Sequence, residues 1–297
     1  MRILISGANG FIGSALSPYL TSHGHTVTRL VRHAAITGDI VWNPEEGALD
    51  ASVIEGFEAV IHLAGANIAG RRWTTTYKRE IWDSRIRSTE LLVNRIQALR
   101  RLPQVFVCMS AVGYYGNRGD EILTEPSPPG NDFMAQLCTA WEKAAEPLAG
   151  KGVRVVNLRA GLVLSAQGGA LKKMLLPFKL GLGGRLGSGD QYWSWITLDD
   201  FLAAVEFILT HDRMVGPVNM VAPNPVTNSE FASTLAGAVH RPAIFPVPAF
   251  VLRTVFGEMA DALFFASQRV RADNLITAGF RFRDPDLAAA LIAVVPA

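Results

Sequence analysis

Ile3-Leu4-Ile5-Ser6-Gly7-Ala8-Asn9-Gly10-Phe11-Ile12-Gly13 is the stretch on which the fold turns. A short apolar run, Arg2–Ser6, ends in glycines at i, i+3 and i+6, and a helical pattern over Phe11–Ser22 follows directly. Strand, glycine turn and helix in that order give each glycine a task. Gly7 permits the tight turn, Gly10 lets a pyrophosphate approach the backbone, and Gly13 lets the helix pack closely on the strand. The first turn of the helix then offers free N–H groups and the positive end of its dipole to phosphate. Asn9, Phe11 and Ile12 lie in the same turn and join the three glycines as candidate cofactor contacts.

Outward from this turn the alternation continues. Strands are expected at Thr26–Val31, Asp39–Trp42, Ala59–Leu63, Val105–Ser110 and Val153–Leu158, with helices over Thr75–Arg100 and Phe133–Leu148. Strands alternating with helices mean βαβ units and a parallel sheet, whose strands are apolar throughout because both faces are covered. The expected architecture is α/β: a doubly wound parallel Rossmann sheet with a smaller C-terminal substrate lobe. The dinucleotide-binding domain is placed at 1–164 and the lobe at 165–297, with strands of the lobe free to return to the first domain. Within the lobe, helices are expected at Asp199–Thr210, Ser229–Val239 and Pro285–Val295, a strand at Pro217–Val221, and an extended segment at Ala243–Pro248. Asp199 and Asp200 are expected to cap the helix that follows them, since acids favour helix N-termini. Leu180–Gly189 holds five glycines in ten residues, for which the sequence supplies no purpose.

Composition excludes several classes. The chain has 297 residues, 49% hydrophobic and 18% charged, which rules out intrinsic disorder. With 28 basic and 26 acidic residues the net charge is +2, so no nucleic-acid partner is expected. Cys108 and Cys138 are too few for a disulfide framework or a cysteine zinc site, and no metal is expected. Glycines break the apolar N-terminus, which makes a poor signal peptide. Arg253, Glu258 and Asp261 interrupt the apolar stretch Ala243–Ala266, so no membrane span is expected. The expectation is a soluble cytoplasmic protein acting on a small molecule, its oligomeric state open.

The end of the second strand reports on the cofactor. A carboxylate there binds the ribose 2′-hydroxyl of NAD, and a nearby arginine accommodates the 2′-phosphate of NADP. Gly24–Arg32 contains no acid, and Arg32 ends the strand. NADP(H) is therefore preferred over NAD(H), with Arg32 as the residue that selects it. Arg29, inside the strand, is assigned to the surface or sheet edge.

The turn Gly7-Ala8-Asn9-Gly10-Phe11-Ile12-Gly13 resembles the G-x-x-G-x-x-G turn of the extended short-chain dehydrogenases/reductases, the NAD-dependent epimerase/dehydratase superfamily. His62-Leu63-Ala64-Gly65-Ala66 is similar to the segment after that family's fourth strand, which implies that Leu63, Ala64 and Gly65 line the adenine-ribose pocket. Arg159–Val163, Gly187–Gln191 and Trp195–Asp200 resemble its later segments. Gly70–Trp73, Ser110–Gly116, Trp141-Glu142, Leu176–Gly184 and the stretch from Gly257 to Phe280 resemble a narrower subgroup of bacterial and mitochondrial epimerase-family proteins. Arg85 sits where extended members often carry a cofactor-side asparagine. The resemblance implies a Rossmann fold, a nicotinamide cofactor and hydride transfer.

It also implies a Tyr-x-x-x-Lys pair on the helix after the fifth strand, with a Ser or Thr beside it. The lysine lowers the tyrosine pKa, and the tyrosine exchanges a proton with the substrate oxygen as hydride moves. This chain has Met134 and Cys138 at those positions. Ser110, Tyr114 and Tyr115 are the remaining candidates for proton chemistry, with pocket packing the alternative for the two tyrosines. Cys138 reads as a buried structural cysteine. Two functional readings follow: an NADP(H)-dependent oxidoreductase of a small carbonyl or hydroxyl substrate, and a non-catalytic NADP(H)-sensing or regulatory protein. A sugar-nucleotide epimerase or dehydratase is a third, and the missing tyrosine and lysine count against it.

Overall fold

The computed structural model describes residues 1–243 and 245–295. Seven strands form one sheet: β1 (Arg2–Ser6), β2 (Thr26–Val31), β3 (Ile40–Val41), β4 (Ala59–His62), β5 (Val105–Ala111), β7 (Arg154–Ala160) and β11 (Gly216–Met220). Their spatial order is β11-β7-β5-β4-β1-β2-β3. The pairs β1–β2, β1–β4, β2–β3 and β4–β5 are parallel. This is the doubly wound α/β arrangement that the sequence predicts. The chain adds β2 and β3 on one side of β1, then β4 and β5 on the other. The switch point therefore lies at the carboxyl ends of β1 and β4, where open α/β sheets bind their ligands.

The chain divides into two compact units, each discontinuous in sequence. The first unit comprises Met1–Ser110, Leu137–Leu158 and Val205–Pro217; the second comprises Ala111–Gln136, Arg159–Ala204 and the chain from Val218 onward.

In the first unit, helix α1 (Phe11–Ser22) follows the glycine turn and α2 (Thr75–Gln97) follows β4. The buried positions of α2 (Tyr77, Ile81, Ser88, Thr89, Leu92, Val93 and Ile96) recur at helical spacing, so one stripe faces the sheet. Leu92, Val93 and Ile96 pack with Leu4, Val60 and Phe106 of the strands and with Trp141 and Ala145 of α3 (Phe133–Ala145). The predicted helix Phe133–Leu148 stops early. Residues Glu146–Lys151 form a 3-10 turn with proline near its start, because Pro147 cannot donate the helical hydrogen bond.

In the second unit, α4 (Gly169–Lys179), α6 (Asn228–Ala238) and α10 (Leu287–Val294) share a core of Leu171, Leu175, Phe231, Leu235, Ala290 and Leu291. Small sheets pair β8 (Leu162–Leu164) with β10 (Trp195–Thr197) and β9 (Tyr192–Trp193) with β12 (Val226–Thr227). Asp200 does not cap helix α5 (Leu198–Thr210) as expected; the Thr197 hydroxyl accepts from the Asp200 N–H and does so instead. The buried Asp200 carboxylate accepts from the backbone N–H groups of Arg283 and Asp284, tying the C-terminal segment down. Of the extended segment expected at Ala243–Pro248, Ile244 lies outside the described residues, and Val247 bridges to Leu186. Among the described residues no helix is long and apolar enough to cross a membrane.

Candidate functional site

The glycine turn is built by close approach of two strand exits. Gly7 has φ +71°, and a Cβ there would lie 2.7 Å from the Leu63 carbonyl carbon and 2.8 Å from the Ala64 nitrogen. Gly13 brings α1 onto the turn, since its Cβ would lie 2.3 Å from the Gly7 oxygen. Both glycines are therefore required by the protein's own packing. Gly10 differs. Its φ is −77°, which any residue adopts, and a Cβ would press only on the Gly7 oxygen, at 3.2 Å. Gly10 is the N-cap of α1 and no side chain caps the helix, so the N–H groups of its first turn at Phe11, Ile12 and Gly13 have no side-chain acceptor. A glycine turn opening a helix whose first turn has no side-chain cap is the kind of site that binds phosphate groups.

Leu63, Ala64 and Gly65 leave β4 beside this turn, and the Leu63 N–H donates to the Ser6 oxygen of β1 at 3.2 Å. Arg85, from α2, reaches the same loop: its Nη2 donates to the Ala66 oxygen at 3.0 Å. His62, fully buried, joins β1, β4 and α2 through Ser6 Oγ at 2.6 Å and Ser88 Oγ at 3.2 Å. Burial, with the Arg85 charge as a lesser cause, pushes its pKa down to about 3, so it stays neutral.

Arg32 is exposed just past β2 and lines a cavity of about 480 Å³ with His33, Trp42 and Asn43. Arg29 is not a plain surface residue. It binds Asp39 bidentately, Nε to Oδ1 at 2.8 Å and Nη2 to Oδ2 at 2.6 Å, and its Nη1 donates to Asn9 Oδ1 at 3.3 Å. Asp39 also accepts from the N–H groups of Ala35 and Ile36. These bonds, that from Arg29 first, hold the Asp39 carboxyl far below the usual carboxylate range. Asp39 is thus already engaged by Arg29. The sequence reading missed it because Asp39 is ten residues from its partner.

Ser110, the penultimate residue of β5 and part of the first unit, is 2% exposed. Its hydroxyl donates to Glu142 Oε1 at 2.7 Å. Glu142 was not singled out for the site; the sequence signals were its place in the Trp141-Glu142 segment and one turn beyond Cys138 on the helix that should carry the reactive pair. Cys138 is buried, and Met134 is packed against Gly113, whose Cβ would lie 3.1 Å from the methionine Cε.

Tyr114 and Tyr115 belong to the second unit. Tyr115 is fully buried; its hydroxyl donates to Asn219 Oδ1 at 2.7 Å and accepts from Arg159 Nη1 at 3.0 Å. Burial pushes its pKa up to about 12, against the lowering effect of Arg159. A phenol so placed keeps its proton at neutral pH. Tyr114 is half-buried, with the Arg159 guanidinium carbon 3.4 Å from its ring centroid. Glu125 completes this network: its Oε1 accepts from the N–H groups of Asn219 and Asn274, and burial raises its pKa. In the glycine cluster, Gly184 approaches the Phe245 carbonyl too closely for any Cβ. Gly187 lines a cavity of about 420 Å³ with Asp120, Tyr192, Arg253 and Phe265.

A parallel sheet with its switch point at β1 and β4, and a glycine turn at that point, define a dinucleotide-binding protein of the Rossmann class. The comparisons narrow the class. The NAD dependent epimerase/dehydratase family matches residues 3–221, and a domain of unknown function, DUF1731, matches residues 247–294. The chain belongs to the NAD dependent epimerase/dehydratase family. It is 42% identical over 290 residues to epimerase family protein Mb2239 of Mycobacterium bovis, covering 97% of this chain and 96% of that one. It is 39% identical to human epimerase family protein SDR39U1, over 99% of this chain and all of the relative. The crystal structure of human SDR39U1 (isoform 2) with NADPH superposes with a TM-score of 0.92 at 37% identity, covering 99% of each chain.

Proposed function

We propose that this protein binds NADP(H) at the Gly7–Gly13 turn and transfers hydride between it and a small carbonyl or hydroxyl substrate. Gly10 carries the argument: the protein's own packing accounts for Gly7 and Gly13, whereas the open face of Gly10 is explained by a pyrophosphate. Gly7, Asn9, Gly10, Phe11, Ile12 and Gly13 hold the phosphates, while Leu63, Ala64 and Gly65 wall the adenosine side. Arg32 takes the 2′-phosphate; Asp39, the nearby acid, is neutralised by Arg29 and offers nothing to a 2′-hydroxyl. The NADPH in the SDR39U1 structure supports the same choice by similarity. The bound nicotinamide supplies or accepts the hydride. Ser110 is the candidate to hold a proton at the substrate oxygen, its hydroxyl turning from Glu142, to which it donates in the free protein, toward the substrate. Titration with NADPH and NADH, followed by cofactor fluorescence, tests the binding claim; equal weak binding of both overturns it. A panel of carbonyl compounds with NADPH consumption as readout tests the reaction.

A second reading, a non-catalytic NADP(H) sensor, is favoured by one observation. Met134 and Cys138, which stand where the family resemblance implies tyrosine and lysine, are both buried in packing. Tight NADPH binding without turnover on any carbonyl would support it. Consumption lost in Ser110→Ala would refute it.

A further inference from the structure

An apolar and basic face lies on the second unit. In helix α4 the buried Leu171, Leu175 and Phe178 pack into the core, while Lys172, Lys173 and Leu176 are exposed, with Lys179 and Leu180 exposed one turn on. The chain then runs through Leu182 and Arg185 beside the segment that leads into helix α7 (Ala249–Phe256). Arg241 Nε donates to the Lys179 oxygen at 3.0 Å. The Val247 N–H donates to the Arg185 oxygen at 2.8 Å, and the Gly187 N–H to the Val247 oxygen at 2.9 Å. Gly184 abuts the Phe245 carbonyl. Helix α7 continues from this pairing and buries none of its residues. The two segments therefore present one surface.

Two properties coincide on it. Leu176, Leu180, Leu182, Phe245, Phe250 and Val255 are each between 55% and 70% exposed. Apolar side chains this bare protrude, whereas those lining a groove are partly covered by its walls. The second property is charge. Residues 169–189 and 239–257 contain Lys172, Lys173, Lys179, Arg185, Arg241 and Arg253 and no Asp or Glu, in a chain whose 28 basic and 26 acidic residues nearly balance. All six cations are exposed. Arg253 is met at 2.8 Å by Asp261, from outside the two segments, so the positive charge of the face rests on the other five.

Protruding apolar side chains interleaved with cations match an anionic bilayer: its headgroups attract Lys and Arg, and its acyl boundary takes up leucine and phenylalanine. A second copy of this chain is a poor match, since a two-fold contact would set the face against itself, cation to cation. We propose that the α4–α7 face seats this protein on membranes containing anionic lipid, lying on the bilayer rather than crossing it. The lysine and arginine stems lie along the apolar side chains while their charged ends reach the phosphates. The cofactor reading plays no part in this inference.

The test is sedimentation of the full chain with vesicles, either of equimolar phosphatidylcholine and phosphatidylserine or of phosphatidylcholine alone. Saturable binding to the first is expected, weakening with added salt, and binding to the second should be roughly tenfold or more weaker. Lys172→Gln combined with Lys173→Gln should weaken binding roughly tenfold or more and flatten the salt dependence. Leu176→Ser combined with Phe250→Ser should weaken it by roughly the same factor and leave the salt dependence in place. All four positions are exposed, so these substitutions leave the fold intact. Equal binding to the two vesicles overturns the charge argument, and undiminished binding by the Leu176→Ser, Phe250→Ser variant overturns the insertion. Equally tight binding to soluble polyglutamate marks an acidic protein as the partner and overturns the membrane. Absence of vesicle binding overturns the proposal, and a dimer in light scattering that Phe250→Ser dissociates would then assign the face to a second copy.

Discussion

The Ser110 hydroxyl, near the end of β5, donates to the Glu142 carboxylate of α3 across 2.7 Å, with both residues at least nine-tenths buried. The bond spans 32 residues of sequence and ties the strand that ends at the ligand edge of the sheet to the helix behind it. It places a carboxylate one hydrogen bond from the only serine at that strand end, on a helix that lacks the family's tyrosine and lysine.

This relationship sets the first prediction. Ser110→Ala removes one charge-assisted bond from a buried carboxylate and should lower stability by about 1–3 kcal/mol in urea unfolding. Glu142→Gln retains an acceptor and should cost less. If hydride transfer is observed, both variants should reduce kcat while leaving the NADPH Kd unchanged. An unchanged kcat in Ser110→Ala would remove Ser110 from the reaction.

The three glycines of the turn should respond differently. Gly13→Ala forces a Cβ to 2.3 Å from the Gly7 oxygen, and the overpacking should destabilise the fold by about 1–3 kcal/mol. Gly7→Ala adds strain at positive φ to a similar overlap. Gly10→Ala should unfold at nearly the wild-type midpoint, because its Cβ meets one oxygen only. Thermal melts of the three variants check this ranking.

Arg32→Ala should reduce NADPH affinity and leave NADH affinity unchanged. The loss should be about 1.5–3 kcal/mol, the size of a hydrogen bond to a charged group. Parallel titrations with the two cofactors give the answer. An equal loss for both would place Arg32 away from the 2′-phosphate.

His62 makes stability depend on pH. Its folded pKa, about 3, lies below the ordinary value of 6.5, so as pH falls the unfolded chain takes up the proton first. Its contribution is complete above about pH 6.5 and is lost progressively toward pH 3. Urea midpoints measured across this range should fall with pH, and His62→Gln should fall less steeply. Parallel curves for the two proteins would contradict the assignment.

Much of this architecture is legible in the sequence. β1, α1 and β2 begin and end where the apolar runs and helical pattern place them, because local signals coincide there: a buried strand, a glycine turn and a helix start. Other features depend on partners far along the chain. Asp39 reads as the first residue of a short strand, with nothing to mark Arg29 as its partner, and Glu142 carries no local sign that Ser110 donates to it. Tyr115 shows the same. Its position past the fifth strand leaves proton chemistry and pocket packing both open, and its hydrogen bonds to Asn219 and Arg159 join residues far apart in sequence. Hydrogen bonds across dozens of residues leave no periodicity for a sequence to display.

Calorimetric titration of NADPH into the wild type and Gly10→Ala tests the central claim most directly. The account predicts saturable binding by the wild type. It predicts binding roughly tenfold or more weaker in Gly10→Ala, since a methyl would stand where the pyrophosphate meets the backbone, with the melting temperature little changed. Equal affinity of the two proteins for NADPH, or no binding by the wild type, would contradict it.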